Sequence, residues 1–449
     1  MMKADKRLAL VFFPAYDWAI SPTHPEREER LLYTHDQLLE EGIEDIAGIE
    51  FLNPIPATAA DIRRVHFCVP NVETRVSPSH FISAGGAIEA GRRVLLGKAD
   101  RAFAIVRPPG HHAQRVVHGD RGFCVINIEA IMIERLRQEF GARRIAIVDT
   151  DCHHGDGTQD IYWNDPDTLF ISLHQDGRTL YPGSGFPEEF GGPSGIGRTI
   201  NIPLPPRTGD NGYLYVLDRL VLPLLRDFKP DLIINSAGQD NHFTDPITNM
   251  RLTAQGYAEL NRRLSPDIAV LEGGYSICGA LPYVNLGIIL AMAGLDFSHV
   301  CEPNFDAELL REEPRIMVYL KGMCDQIEEL VRRREEIECK VRGAGKTIRR
   351  SRRVSYDTDG IIETQQEEFH LCPQCPGIQV IESASDRGET ILGIHIPRSG
   401  CENCRDRGED LFRKADVGAY TNVFLQDRPG DRFLSHLVEV SDGSIHSRA

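Results

Sequence analysis

Apolar residues fall into two kinds of run over the first two-thirds of the chain. Short runs at residues 8–13, 103–106, 145–148, 168–173, 232–235 and 268–271 are apolar on both sides and too short for helices, so they read as buried strands. Longer amphipathic stretches at residues 26–40, 127–140, 213–227 and 254–264 read as helices. This alternation predicts an α/β fold with a mostly parallel sheet covered by helices on both faces. In such sheets the loops after the carboxyl ends of the strands carry the ligands.

Beyond residue 306 the pattern changes. After Pro314, apolar residues recur in steps of four and three at Ile316, Leu320, Met323, Ile327, Leu330, Ile337 and Val341, with Arg334 filling one slot. Such a heptad stripe fits either a helix laid on the α/β body or a coiled coil that makes a homodimer. Residues 341–355 then bring Lys346, Arg349, Arg350, Arg352 and Arg353 among small residues. A basic run of this kind is expected to be a solvated linker, with a docking patch for an acidic partner as the alternative. The expected division is a catalytic body at 1–303, a helical arm at 304–342, a basic linker at 343–363 and a compact tail at 364–449.

Composition narrows the class. The 449 residues are 41% hydrophobic and 26% charged, enough apolar material for a sizeable core. A net charge of −16 argues against nucleic acid and acidic membranes as partners of the whole chain. No apolar run approaches the roughly 18 residues of a membrane span. The start of the chain has no long apolar segment, and eleven mostly scattered cysteines suit a reducing compartment. A cytoplasmic protein is the expectation.

Four segments following predicted strands concentrate the chemistry: residues 107–113 with His111 and His112, 149–157 with Asp149, Asp151, His153 and Asp156, 236–242 with Asp240, and 272–275 with Gly273 and Tyr275. Asp151 and His153, one residue apart in extended chain, point the same way. With Asp240 they form a one-histidine, two-carboxylate set, and three protein ligands with an open position mark a catalytic metal site. Zinc fits, and oxygen-rich ligation also admits iron(II) or manganese. His111 and His112 suit proton transfer, with Asp149 and Asp156 as the nearby acids able to fix their tautomers. Tyr275 can donate its hydroxyl to a developing oxyanion. Together these groups specify hydrolysis of an amide or ester. No G-x-S-x-G elbow supports a serine nucleophile, and residues 183–185 lack a phosphate-binding context.

The segments at 20–27, 107–113, 122–124, 149–158, 172–174, 181–185, 236–240 and 272–275, in this order along residues 8–295, resemble the zinc-dependent histone deacetylase family. They are most similar to its class II and bacterial members, a group that includes acetylpolyamine amidohydrolases. The resemblance implies an arginase-like three-layer fold with a central, roughly eight-stranded parallel sheet. It implies zinc at Asp151, His153 and Asp240. It also implies a histidine pair, His111 and His112, held by Asp149 and Asp156, and an acyl carbonyl polarised by Tyr275. Gly122, Phe123, Tyr181 and Gly273 would line a narrow tunnel, the Gly122 carbonyl accepting the substrate amide N–H. A structural potassium would touch Asp149, Ser172 and the main chain of Asp151, His153 and Leu173. Gln239, Asn241 and Tyr181 depart from the residues usual in the family, and Glu73 is its candidate rim acid. The implied substrate is an acylated lysine in a protein or an acylated small amine.

Cys372 and Cys375, then Cys401 and Cys404, form two C-x2-C knuckles with 25 residues between them. That gap exceeds the commonest spacing of about 15 to 20, yet a second, structural zinc in a zinc ribbon remains the reading. A redox dithiol pair is the alternative, and Pro373 and Pro376 argue against the helix it would need. The other seven cysteines are expected to be small core fillers. A ribbon-bearing adaptor without catalysis is the competing class of function, its tail recruiting or presenting a protein partner.

Overall fold

The computed structural model describes residues 2–441 and 444–448; residue 449, where the expected tail ends, lies outside them. Eight parallel strands form the body: β1 (Lys3–Phe13), β2 (Ala47–Leu52), β3 (Arg101–Val106), β4 (Ile145–Asp149), β5 (Thr168–Gln175), β6 (Thr199–Leu204), β7 (Leu232–Ala237) and β8 (Ile268–Leu271). Their order across the sheet is β2-β1-β3-β8-β7-β4-β5-β6. Alternate residues of one strand enter opposite cores: Leu8, Leu10, Phe103 and Ile105 on one face, Ala9, Val11, Ala102 and Ala104 on the other. That alternation is why the strands read as apolar throughout. β3, β8, β7 and β4 are consecutive neighbours, so the four chemistry-bearing loops leave one edge of the sheet side by side.

The unread elements have physical reasons. β2 and β6 are the sheet's two edges. The helix Pro78–Leu95 contains Gly85, Gly86 and Gly91, each about 1 kcal/mol poorer than alanine in a helix. A Cβ on Gly85 would sit 1.8 Å from the Ile55 carbonyl oxygen, so the glycine allows this helix to seat.

The heptad stripe is occupied within the chain. Ile316, Leu320, Met323 and Ile327 of the helix Pro314–Arg332 are buried in the main core, so the coiled-coil reading loses its apolar seam to the body. The helix breaks at Arg333, and a second helix, Arg334–Gly343, follows where the charged slot interrupts the stripe.

Residues 347–356, expected to be a solvated linker, are the first strand of a second sheet. Seven strands lie in chain order: β9 (Thr347–Tyr356), β10 (Ile361–His370), β11 (Ile378–Ser385), β12 (Thr390–Ile396), β13 (Asn422–Asp427), β14 (Arg432–Ser441) and β15 (Ser444–Arg448). Neighbours are antiparallel except β12 and β13, which are parallel and joined through the helix Glu402–Lys414. The basic run alternates: Arg350 and Arg352 turn inward to Asp160 and Glu367, while Arg349 meets Glu368 at the surface. Its inward partners are carboxylates rather than apolar side chains, so the period-two signal never showed as hydrophobicity.

The tail is therefore packed on the body, not tethered to it. Phe67 stacks on Phe424 at 5.5 Å inside an apolar cluster with Val69, Val116, Ile381 and Ile391. Ion pairs also join tail and body: Arg428 with Glu134, both buried, and buried Arg64 with Asp431 at the surface.

The four knuckle cysteines converge, with Cys372–Cys401, Cys375–Cys401 and Cys375–Cys404 Sγ distances of 3.7, 3.7 and 3.5 Å. These are far beyond a disulfide bond of about 2.05 Å and near the roughly 3.8 Å edge of a tetrahedron of zinc–sulfur bonds. The Gln374 and Gly377 N–H groups donate to Cys372 and Cys375 Sγ, each at 3.4 Å, as suits thiolate ligands. Of the remaining seven cysteines, Cys68, Cys124, Cys152 and Cys324 fill cores as expected, whereas Cys278, Cys301 and Cys339 are exposed and do not. Among the described residues no helix is long and apolar enough to cross a membrane.

Two outcomes follow from this packing. Leu320→Ala should lower stability in urea by about 2–5 kcal/mol and leave the light-scattering mass unchanged; a changed mass with unchanged stability would return the stripe to a chain–chain interface. A Cys401→Ser, Cys404→Ser variant should lose one of two zinc equivalents per chain, matching the two ligand clusters, and its tail should become protease-sensitive.

Candidate active site

The loops after β3 and β8 are anchored by buried charges at their strand ends. Arg107, at the end of β3, gives its Nε to Glu26 at 2.7 Å and its Nη1 to the Ala15 carbonyl at 2.6 Å. The next turn is held by Glu272, whose carboxylate accepts the Gly110 and His111 N–H groups at 2.7 and 3.0 Å. Arg30, paired with Glu26, donates to the Gly274 and Glu272 carbonyls at 2.8 and 2.6 Å, tying the Tyr275 loop into the same network.

Asp151, His153 and Asp240 come together with their ligand atoms within 4.8 Å of one another. Both carboxylates are fully buried. Asp240 accepts the Cys152 N–H at 2.7 Å and Asp151 accepts the Gly273 N–H at 2.7 Å. Neither makes an ion pair with an arginine or lysine among the described residues; their only charged-capable partners are histidines. Burial opposes charge on His153, yet Asp240 and Asp151 outweigh it and lift the imidazole to about 10. Two buried carboxylates without an arginine or lysine partner among the described residues form a pocket suited to positive charge, and the donor set suits zinc. Gly238 and Gly273 make room for it: a Cβ there would lie 2.0 Å from Asp151 Oδ2 and 2.4 Å from Asp240 Oδ2 respectively.

The histidines stand beside this pocket with ring centroids 4.1 Å apart. His111 Nδ1 lies 3.1 Å from Asp149 Oδ2, and His112 Nδ1 lies 2.7 Å from Asp156 Oδ1. Each ring therefore keeps its Nε2 for the site. The two environments differ. Burial opposes charge on His111, but Asp151 and Asp149 hold it well above the ordinary range. Burial and the neighbouring His111 push His112 down to about 3. Asp156 stays well below the usual carboxylate range despite its burial, because Arg121 and His112 face it.

Tyr275 is 8% exposed. Its backbone N–H is held by Asp245 at 2.9 Å, and the Arg30 guanidinium lies 5.0 Å from its ring centre. Burial keeps its hydroxyl protonated, hence a donor. Tyr181 packs edge-on to His112 at 5.2 Å, and Phe123 packs edge-on to Tyr275 at 5.6 Å, so the two aromatics border the pocket from different sides. Ser172 pairs with Asp149 across β4 and β5, and the Leu173 carbonyl accepts the Tyr213 hydroxyl at 3.3 Å. Of the departures, Gln239 bonds Asn285 at 2.5 Å and Asn241 bonds the Thr150 carbonyl at 2.8 Å, both in the support behind the site. Glu73 is exposed and ion-pairs with Arg63, which takes it out of the site constellation.

Sequence reasoning missed Glu272, Arg121, Gly238 and Asp357. The first three lie in or beside the motif segments and were legible as buried charge or as glycine. Asp357, whose Oδ1 accepts the Tyr181 hydroxyl at 2.9 Å, comes from the second sheet and carried no local signal.

Known proteins resemble this chain in sequence and in fold. The histone deacetylase domain model matches residues 70–285. A probable deacetylase of Archaeoglobus fulgidus is 48% identical over 339 residues, covering 69% of this chain and 93% of that protein. A histone deacetylase-like amidohydrolase of Pseudomonas aeruginosa is 36% identical over 241 residues, covering 50% of this chain and 62% of that protein. The solved HDA15 HD domain aligns with a TM-score of 0.61 at 26% identity, covering 73% of this chain and 99% of that one. The body thus has the deacetylase fold, and the chain belongs to the histone deacetylase family of hydrolases.

Proposed function

We propose that this chain hydrolyses the amide bond of acylated lysine in proteins. The observation that carries the reading is the buried Asp151–His153–Asp240 set beside two carboxylate-tethered histidines and a protonated tyrosine. Zinc held by those three residues would polarise the acyl carbonyl and acidify the attacking water.

The rest is done by the chain's own groups. His111 and His112 present Nε2 towards the pocket, one to take the proton of water and one to return a proton to the leaving amine. Asp149 and Asp156 fix their tautomers. The Tyr275 hydroxyl donates to the oxyanion as charge develops on the carbonyl oxygen. Phe123 and Tyr181 hold the acyl-lysine stem, Gly273 keeps the pocket floor open, and the Gly122 carbonyl accepts the amide N–H of the substrate. Asp149, Ser172 and the main chain of Asp151, His153 and Leu173 would hold a potassium ion behind the metal.

A second reading, an amidohydrolase acting on acylated small amines such as polyamines, is favoured by the carboxylates at the entrance, Asp120, Asp357 and Asp359. Burial, and after it the neighbouring Asp359 and Asp357, push Asp120 up to about 7, so Asp120 itself gives up charge near neutrality and the reading rests on the three acids lying together at the strap of residues 119–123.

Tyr275→Phe should lower kcat on an acetyl-lysine peptide by about 10²–10³-fold, and Asp240→Asn should leave still less. Full activity in both variants would end the assignment. Competition between acetyl-lysine peptide and acetylspermidine in the wild-type enzyme decides the substrate class: preference for the peptide supports the first reading and preference for the polyamine the second.

A further inference from the structure

We infer that the second sheet is a working part of the active-site mouth, with Asp357 as the residue that positions the tunnel wall. This rests on the deacylase reading above. The observation is a juxtaposition of two segments more than 230 residues apart. One is the strap 119–123, which leads into the tunnel; the other is the turn between β9 and β10.

The turn grips the strap at consecutive positions. Asp359 Oδ2 accepts the Asp120 N–H at 2.8 Å, the Ser355 carbonyl accepts an Arg121 N–H, and Asp357 Oδ1 accepts the Gly122 N–H at 3.0 Å. That same Asp357 oxygen takes the Tyr181 hydroxyl at 2.9 Å. One carboxylate oxygen thus fixes the backbone of one tunnel residue and the ring of another. The strap needs fixing, since Gly122 and Phe123 both have left-handed backbone, with φ of +52° and +69°. Phe123, which has a Cβ, adopts that region only when its surroundings hold it there. The strap is also thin: a Cβ on Gly122 would lie 2.4 Å from His112 Cδ2, and one on Gly119 would lie 2.4 Å from Asp359 Oδ2.

The grip continues inward. Arg121 donates to Asp156 at 2.8 Å, and Asp156 holds His112. Arg352 of β9 reaches Gln114 at 3.0 Å, and Gln114 bonds Asp156 at 2.6 Å. The second sheet therefore braces the tunnel wall directly through Asp357 and the carboxylate behind His112 through Arg121 and Gln114. Because the tie from Asp357 runs to Gly122 and Tyr181, its loss acts on substrate seating before it acts on proton transfer.

Asp357→Ala and Asp357→Asn in the full chain provide the test, with acetyl-lysine tripeptide as substrate and hydrogen exchange of residues 119–124 as a second readout. Losing the shared acceptor of two hydrogen bonds should raise KM by about tenfold in Asp357→Ala, with kcat within about threefold of wild type. Exchange of the strap should quicken by a similar factor while the thermal midpoint stays within a few degrees. Asp357→Asn keeps the acceptor oxygen and should restore both readouts. An alanine variant with unchanged KM and unchanged exchange overturns the inference. So does an asparagine variant as impaired as alanine, which would make the charge, not the acceptor, the working feature. If the wild type turns over no acylated amine, the deacylase reading falls, and the exchange measurement alone decides whether the clamp exists.

Discussion

A carboxylate taken out of water must meet a cation, a proton or a set of N–H donors, because an isolated buried charge costs more than a domain's whole stability. This chain buries many carboxylates, and how each is answered explains most of its architecture. Glu26 meets Arg30 and Arg107, and the three together lock the loops after β3 and β8. Asp149 and Asp156 meet histidines and orient their rings. Glu134 and Asp160 meet arginines from the second sheet, which welds the two parts of the chain. Among the described residues Asp151 and Asp240 meet backbone donors and histidines but no arginine or lysine, and that remaining deficit suits a metal ion.

The strands and helices most exactly readable from sequence are those whose environment is apolar. The run at 268–271 is the whole of β8, and the stretch at 254–264 is the whole of the helix Ala254–Leu264. The site was readable for a related reason: its loops lie on four neighbouring strands, so motif order in the chain already grouped Asp151, His153, Asp240, His111, His112 and Tyr275. What escaped is what apolar periodicity cannot encode. β9 half-buries Arg350 and Arg352 against Glu363, Gln365 and Glu367, which β10 buries fully, a polar face matched to a polar face, and so the stretch looked like solvated chain. Asp357 escaped because only tertiary structure brings a turn of the second sheet to Gly122 and Tyr181.

The family match ends at residue 285, yet the packing does not. The helix Pro314–Arg332 completes the main core, and the second sheet shares an apolar cluster and several ion pairs with the body. A tail joined in this way is poorly suited to swing freely as a recruiting arm. Its four-cysteine cluster lies by the turn from β10 to β11 and the start of the helix Glu402–Lys414, at the end of β10 opposite to the β9–β10 turn.

Since the account turns on a cation completing the Asp151–His153–Asp240 pocket, the decisive measurement is acetate release from an acetyl-lysine peptide by metal-stripped protein as zinc is returned stepwise. Activity should be absent in the stripped protein, rise as the pocket fills and then level off, with no recovery in Asp240→Asn. Full turnover by protein shown to be free of divalent metal would contradict the account.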